Sequence, residues 1–188
     1  DKYIISYAGY CIDKVKVTDE DGVQVGWRYI DIKAMDPYVD YVNIMTYELD
    51  AAPKHHSALN DPRANKDCKR SVDAYLNAGV APSKLVLGIP FFGRHSWNPE
   101  SLAVSYKNIL TLDPYQYRRN KWDEQASCPY VDKMNGEFYC GYDNPRSIAI
   151  KGEWARKLGL RGLMFWEYDQ DDSRGTLRHA VWNAVMTQ

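Results

Sequence analysis

Four short apolar runs constrain the fold of this 188-residue chain more than any other feature. None of the runs alternates cleanly between apolar and polar residues, and each is too short to be a buried helix. Continuous apolar runs of this length are typical of parallel strands that are covered on both faces. The runs lie at Tyr3–Ala8, Tyr41–Tyr47, Lys84–Pro90 and Gly162–Tyr168. The sequence therefore predicts four parallel strands and an α/β fold.

Helical patterns fill the intervals between the runs. Asp67–Ala78 and Ser147–Leu158 have apolar residues near helical spacing, and each is followed by a glycine, Gly79 or Gly159, that suits a left-handed helix cap. Repeated helix–glycine–strand units favour right-handed βα repeats. Thr176–Met186 predicts a terminal helix after the last run.

The interval between the third and fourth runs is too long for one βα unit. It exceeds such a unit by about 40 residues, and a structureless loop of that length is rare in a compact domain. We therefore predict a barrel half at residues 1–94 and 143–188, with a small α+β lobe inserted at residues 95–142. A complete (β/α)8 barrel needs eight strands and about 250 residues, so four strands make half a barrel.

Composition and motifs exclude several classes of function. The chain has 24 basic and 25 acidic residues, so no basic surplus indicates nucleic-acid binding. The sequence contains no run of eighteen apolar residues, so it does not predict a membrane span. The sequence has no Cys-x-x-Cys pair, no Gly-rich phosphate loop and no Gly-x-Ser-x-Gly elbow, and its one dense histidine cluster is His55–His56. We therefore expect neither a metal site nor a cofactor.

The cysteines leave one question open. Cys128 and Cys140 bracket a segment that predicts a β-hairpin around Asn135–Gly136. In an oxidising compartment this hairpin favours a disulfide between the two cysteines, whereas in a reducing compartment both stay free thiols. Four cysteines are too few for a disulfide scaffold, and the sequence does not show whether Cys11 and Cys68 meet.

Reactive and aromatic residues follow the predicted strands, where ligands bind in parallel α/β folds. The second run ends at Met45–Glu48, the third leads to Arg94, and the fourth contains Trp166 and precedes the acidic segment Asp169–Asp172. Aromatic rings stack on sugar faces, and carboxylates permit acid–base catalysis. Each feature also has a structural explanation: Trp166 in the core, Arg94 in an ion pair, and the acidic segment as a turn and helix cap. The residues alone predict a sugar-binding or hydrolytic half-barrel.

Three of these segments, in this order, resemble the family 18 glycoside hydrolases, which are the chitinases and their relatives. Asp40–Glu48 is similar to the sixth strand of the family barrel, Lys84–Arg94 to the seventh and Gly162–Tyr168 to the eighth. Asp143–Ser147 resembles the entry into the seventh helix, and residues 95–142 match the place of the family's α+β insertion. The resemblance implies that the chain supplies strands five to eight of a TIM barrel. It also implies an enzyme that degrades chitin or related N-acetylglucosamine polymers.

The resemblance implies roles for four residues. Tyr47 hydrogen-bonds and orients the N-acetyl carbonyl of the sugar, Met45 lines the acetamido pocket, Trp166 forms its floor, and Arg94 contacts the sugar. The implied reaction is substrate-assisted retaining hydrolysis, which departs from the two-carboxylate scheme. The acetamido oxygen of the substrate attacks the anomeric carbon and forms an oxazolinium ion.

The chain departs from the family pattern in three places. The proton donor of the family is the last residue of an Asp-Gly-x-Asp-x-Asp-x-Glu motif on the fourth strand, and no stretch of this sequence matches that motif. Glu48, a candidate catalytic residue, stands where the family usually has Asp, which moves the carboxylate by about one bond length. Phe92 stands where the family often has Tyr. We expect the chain, which begins at Asp1, to be part of a longer protein and to be inactive alone.

Two other interpretations stay open. The protein could be a non-catalytic chitinase-like lectin that binds amino sugars through Tyr47 and Trp166. The half-barrel could also cover its exposed sheet edges with a second copy of itself, in place of the missing N-terminal half of its own barrel. In each case the expected ligand is chitin or an N-acetylglucosamine oligosaccharide, with neither nucleic acid nor a membrane as partner. The resemblance favours a secreted or cell-envelope location, and the sequence does not distinguish endo from exo cleavage.

Overall fold

The computed structural model describes residues 3–98 and 103–186. The strands within these residues are β1 Ser6–Gly9, β2 Val15–Thr18, β3 Gln24–Arg28, β4 Tyr41–Ile44, β5 Leu85–Pro90, β6 Phe92–Arg94, β7 Ala103–Ser105, β8 Tyr117–Asp123, β9 Cys128–Lys133, β10 Phe138–Gly141 and β11 Gly162–Trp166. The helices are α1 Ile32–Met35, α2 Cys68–Asn77, α3 Tyr106–Ile109, α4 Pro145–Leu158 and α5 Thr176–Met186. None of the described helices is both long and apolar enough to cross a membrane.

The first sheet is parallel and has the strand order β1-β4-β5-β11. The first apolar run overlaps β1 and each of the other three contains one of these strands, and the α/β class is confirmed. All six residues of β5 are buried, which explains why this run contains no polar side chain between Leu85 and Pro90. β1 and β11 are the two edges of the sheet.

Capping residues mark the ends of α2 and α4. Asp67 caps α2 by accepting a hydrogen bond from the Arg70 N–H (2.8 Å), and Gly79 follows the helix with a φ of 95°. α4 begins two residues earlier than predicted because Asn144 and Ser147 form a capping box ahead of it. Gly159 ends this helix in the left-handed conformation.

The acidic segment after β11 acts mainly as a helix cap. Asp171 accepts hydrogen bonds from the N–H groups of Leu177 and Arg178 (3.1 and 3.0 Å). Asp172 accepts one from the Thr176 N–H (3.0 Å). The structural explanation is thus confirmed for both residues, since their carboxylates meet the unpaired N–H groups of the first turn of α5.

The second sheet is antiparallel and has the order β7-β6-β10-β9-β8. Its first strand in the chain, β6, begins at Phe92, only two residues after the end of β5. Residues 92–94 therefore belong to this sheet, although they precede the predicted insertion at residues 95–142. The predicted hairpin forms between β9 and β10 and turns at Gly136, which has a φ of 89°. A separate hairpin of β2 and β3 was not predicted.

The disulfide between Cys128 and Cys140 does not form, and all four cysteines are free thiols. The register of the hairpin explains this correction. Cys140 lies opposite Val131, three residues along the strand from Cys128. That offset corresponds to roughly 10 Å, whereas a disulfide needs Cα atoms within about 7 Å.

Candidate functional site

A cavity of about 540 Å³ opens at the carboxyl ends of the parallel strands. It is lined by residues from β1, from the strand ends of β4 and β11, and from β6: Ala8, Asn43, Met45, Tyr47, Glu48, Phe92, Met164 and Trp166. The structure therefore brings together Met45, Tyr47, Glu48 and Trp166, four of the five predicted site residues. Parallel strands end at one edge of the sheet, which is why residues distant in sequence converge here.

Strand β4 and its extension present alternate side chains to the cavity. Asn43, Met45 and Tyr47 line it, whereas Ile44 and Thr46 between them are fully buried. The Thr46 hydroxyl donates a hydrogen bond of 2.6 Å to the Gly88 carbonyl of β5. This bond continues the contact between the two chain segments beyond the end of β4, so that Tyr47 is held at the rim of the sheet.

The Tyr47 ring depends on the absence of a side chain at residue 88. A Cβ atom added to Gly88 would lie 2.9 Å from Cε1 of Tyr47 and 2.5 Å from the Ile44 carbonyl oxygen. The ring also meets the edge of the Phe92 ring, with 6.0 Å between centroids. Burial, with the nearby Glu48 carboxylate, raises the pKa of Tyr47 to about 12. The hydroxyl is therefore a neutral hydrogen-bond donor throughout the physiological pH range.

Trp166 ends β11 and is 54% exposed, so its ring is not part of the core. The preceding ring, Phe165, points to the other face and stacks on Phe91 with 4.5 Å between centroids. The Phe91 N–H donates to the Trp166 carbonyl (2.7 Å), which fixes the backbone that carries the exposed ring. A flat aromatic face supported in this way at a cavity is suited to stacking on a ligand.

Arg94, the fifth predicted residue, does not line the cavity. The side chain is buried, donates a hydrogen bond from Nη1 to Glu48 Oε1, and packs its guanidinium over the Trp97 ring at 4.2 Å. Within the described residues its Nε has no hydrogen-bond partner. The ion-pair explanation of Arg94 is thus confirmed, and the residue reaches the cavity through Glu48.

Two features of the site were not predicted from the sequence. Asn43 lies in the wall, and the alternation Asn43-Met45-Tyr47 is the signal that could have revealed it. A second pocket of about 220 Å³ shares Met45, Tyr47 and Glu48 with the cavity. Its remaining wall includes Tyr10 and Tyr29, whose rings are in edge contact at 5.4 Å. Within the part of the chain that the structure describes, no three His, Cys, Asp or Glu residues are grouped to hold a metal ion.

Comparison with known protein families shows the family to which the chain belongs. The model of the glycosyl hydrolases family 18 matches residues 1–171. The chain belongs to glycosyl hydrolase family 18. This family 18 chain is 27% identical over 162 residues to the class V chitinase CHIT5b of Medicago truncatula, covering 74% of this chain and 42% of the relative. It is 28% identical over 172 residues to chitinase A1 of Niallia circulans, covering 72% of this chain and 24% of the relative. The chain thus spans less than half the length of these relatives.

Solved structures share the fold. Chitinase ChiW of Paenibacillus sp. FPU-7 matches this family 18 chain with a TM-score of 0.80 and 24% identity, over 99% of this chain and 23% of that one. The family GH18 chitinase of Cycas revoluta, solved in complex with allosamidin, matches with a TM-score of 0.77 and 24% identity, over 96% of this chain and 55% of that one. Another structure of the Cycas revoluta enzyme contains (GlcNAc)3.

Proposed function

We propose that the chain is part of a glycosidase that degrades chitin or a related N-acetylglucosamine polymer, and that it supplies strands five to eight of a (β/α)8 barrel. Four parallel strands with intervening helices support this assignment, as does the family relationship. In the proposed enzyme β1, β4, β5 and β11 are the fifth to eighth strands, and the segment at residues 95–142, with β6, is the inserted lobe. The preceding half of the barrel then pairs with the edges β1 and β11.

The observation that carries the proposal is the grouping of a neutral Tyr47 hydroxyl, the Met45 side chain and the exposed Trp166 ring in one cavity. An N-acetylated sugar presents one apolar ring face, one acetamido methyl and one carbonyl oxygen. Trp166 can stack on the ring face, Met45 can contact the methyl group, and Tyr47 can donate a hydrogen bond to the carbonyl. In the related enzyme of Cycas revoluta, the structures contain N-acetylglucosamine oligomers, which supports the same ligand class here.

In the proposed reaction the acetamido oxygen of the bound sugar attacks the anomeric carbon and forms an oxazolinium ion, with release of the leaving sugar. Tyr47 orients the acetamido group, so that its contribution is one of positioning the nucleophile. Glu48, held by Arg94, borders the same space and is a candidate for contacting the sugar or the ion. The leaving oxygen must receive a proton, and no stretch of the chain matches the family's acid motif. Hydrolysis therefore needs a donor from outside these residues, and the chain alone is expected to be inactive.

The proposal is tested by assaying the chain alone and the chain preceded by a family 18 N-terminal half that carries the acid motif. We expect release of a chromophore from an N-acetylglucosamine oligomer only in the second case, and loss of that activity when the final Glu of the motif is replaced by Gln. If a complete protein with the intact motif folds but does not hydrolyse the oligomer, that result would contradict the proposed enzymatic function.

The alternative is a chitinase-like lectin that binds amino sugars through Tyr47 and Trp166, which both line the cavity. The residue at the end of the upstream motif distinguishes the two functions. Glu there supports the enzyme, and Gln or Leu supports the lectin.

A further inference from the structure

We propose that His56 is a positioning residue that fixes the Tyr47–Glu48 segment after β4 against Phe92 by hydrogen-bonding backbone groups of both segments. The inference rests on the proposed function, because it concerns the wall of the same sugar-binding cavity. His56 itself is fully buried and does not line that cavity.

The imidazole ring of His56 bridges two backbone groups. Its Nδ1 accepts a hydrogen bond from the Glu48 N–H at 3.2 Å, and its Nε2 lies 3.2 Å from the Phe92 carbonyl oxygen. A backbone N–H can only donate and a carbonyl can only accept, so the two contacts together require the tautomer with the proton on Nε2. The His56 carbonyl accepts a third bond, from the Leu49 N–H at 3.0 Å.

Glu48 needs this support because of its backbone conformation. Its φ is 57°, in the left-handed region that is unfavourable for residues with a side chain. The two consecutive N–H groups of Glu48 and Leu49 both donate to His56, one to the ring and one to the carbonyl. His56 therefore holds the turn that directs the Glu48 carboxylate towards Arg94 and leaves Tyr47 at the rim of the cavity.

The histidine can act as a fixed point because its neighbours are anchored to other elements. Nε2 of His55 lies 3.2 Å from Asp123 at the end of β8, and a Cβ on Gly141 would be 2.6 Å from Nδ1 of His55. Ser57 donates a hydrogen bond of 2.8 Å to Asp143, which also pairs with Lys151 of α4 at 2.7 Å. The segment 55–57 thus contacts the antiparallel sheet on one side and helix α4 on the other.

The electrostatic surroundings keep His56 neutral. Burial lowers the pKa of its ring to about 3. Asp143 and the Phe92 carbonyl favour the charged ring, whereas Lys151 and His55 oppose it, and burial outweighs all of them. The unprotonated Nδ1 therefore remains available to the Glu48 N–H at neutral and mildly acidic pH.

His56 influences the wall of the cavity through the Phe92 ring. The two rings are in tilted contact with 5.1 Å between centroids, and Phe92 in turn meets the Tyr47 ring at 6.0 Å. Loss of the His56 contacts would free both the backbone of Glu48 and the ring that supports Tyr47.

Two substitutions separate the two hydrogen bonds of the ring. The amide of Asn reaches the place of Nδ1, so His56→Asn can still accept from Glu48. The amide of Gln reaches the place of Nε2, so His56→Gln can still donate to Phe92 but leaves the Glu48 N–H unpaired. Val72→Ala serves as the control, because Val72 is a buried residue of α2 and its truncation destabilises the core without touching this site.

The first readout is hydrogen exchange of the Glu48 amide, together with the ring resonances of Tyr47. We expect exchange to become about tenfold faster in His56→Gln than in His56→Asn, since one buried hydrogen bond is lost. The second readout is affinity for N-acetylglucosamine tetramer, which should fall in the same order and stay unchanged in Val72→Ala. Equal exchange in both variants and the wild type would overturn the inference, as would altered exchange with unaltered affinity.

The failure of this inference is distinguishable from failure of the proposed function. A wild-type protein that does not bind the tetramer contradicts the function, while the exchange and the Tyr47 resonances still decide whether His56 positions this segment. If neither variant folds, nitrogen NMR of the wild-type protein shows which nitrogen of the His56 ring carries the proton. A protonated Nδ1 would overturn the proposal, and a protonated Nε2 with a hydrogen-bonded, unprotonated Nδ1 would support it.

Discussion

At the scale of single residues, the proposed sugar binding depends on a few side chains at the rim of the parallel sheet. Tyr47 and Trp166 are 119 positions apart in the sequence and line one cavity because their strands end at the same edge. One offers a neutral hydroxyl and the other an exposed ring, which are two different means of binding the proposed sugar ligand. Each can be tested separately.

Replacing Trp166 by Ala should weaken binding of an N-acetylglucosamine oligomer by about 1–3 kcal/mol, the scale found for stacking of a ring on a base. Trp182 is the matched control, because it is 63% exposed on α5 and does not line the cavity. Isothermal titration should show an unchanged affinity for Trp182→Ala. Equal affinities of both variants would mean that Trp166 does not stack on the ligand.

The buried histidines predict how stability depends on pH. The pKa of His56 is about 3 in the folded protein, and burial also lowers the pKa of His55 below its ordinary value of about 6.5. Below pH 6.5 the unfolded chain binds protons that the folded protein does not, so the free energy of unfolding must fall as the pH decreases. Each of the two histidines lowers the free energy of unfolding by up to about 1.4 kcal/mol for each unit by which the pH falls.

Urea unfolding between pH 7 and pH 5 measures this dependence, in a range above the titration of the carboxylates. The His56→Asn variant should lose less stability over the same interval than the wild type, because it lacks one of the two groups. Parallel curves for the two proteins would contradict the neutral state of His56.

At the scale of secondary structure elements, a buried ion pair holds helix α4 to the segment that follows β10. Lys151 and Asp143 are both fully buried, and Asp143 also accepts hydrogen bonds from Ser57 and Ser147. Burial lowers the pKa of Lys151, but the adjacent Asp143 charge more than offsets this and raises it above the ordinary value. Lys151 is therefore charged at neutral pH.

Lys151→Met should destabilise the protein by about 3–5 kcal/mol, because the Asp143 charge stays buried without its partner. Lys157→Met is the control on the same helix, since Lys157 pairs with Glu153 on an exposed face. Chemical denaturation should show no measurable change for the control. A Lys151→Met protein as stable as the control would mean that the buried pair does not hold α4.

The elements also show which parts of the fold could be predicted. The strands of the parallel sheet were predicted because burial on both faces leaves a continuous apolar run, and Gly79 and Gly159 indicated where two helices end. The β2–β3 hairpin was not predicted, although Val15 and Val17 alternate with polar residues in β2 as in a half-buried strand. The entry of residues 92–94 into the antiparallel sheet could not be predicted, because their partners in β7 and β10 are distant in sequence.

The same limit applies to the site. The strand ends predicted Met45, Tyr47, Glu48 and Trp166, because residues following parallel strands converge at one edge. The contact of His56 with the Glu48 N–H depends on a turn at positive φ, and no local pattern in the sequence indicates it. The free cysteines depend on the register of one hairpin, which the positions of Cys128 and Cys140 alone did not determine.

At the scale of the whole molecule, the proposed half-barrel has a ligand cavity and two sheet edges that remain to be covered. Tyr3, Ile4 and Ile5, which lead into the edge strand β1, are all exposed. Such a surface is expected where the preceding half of the barrel packs, and a second copy of the chain is the other candidate. Sedimentation distinguishes these cases, since a monodisperse monomer excludes the pairing of two copies.

The central claim is that the cavity recognises the acetamido group of an amino sugar. The most direct test is calorimetric titration of the protein with N-acetylglucosamine tetramer and with the matching glucose tetramer, which carries a hydroxyl in place of each acetamido group. We predict that the wild type binds the acetylated tetramer more tightly, and that Tyr47→Phe reduces this preference by about 1 kcal/mol through loss of one hydrogen bond. Equal affinity for the two tetramers, or a preference unchanged in Tyr47→Phe, would contradict the account.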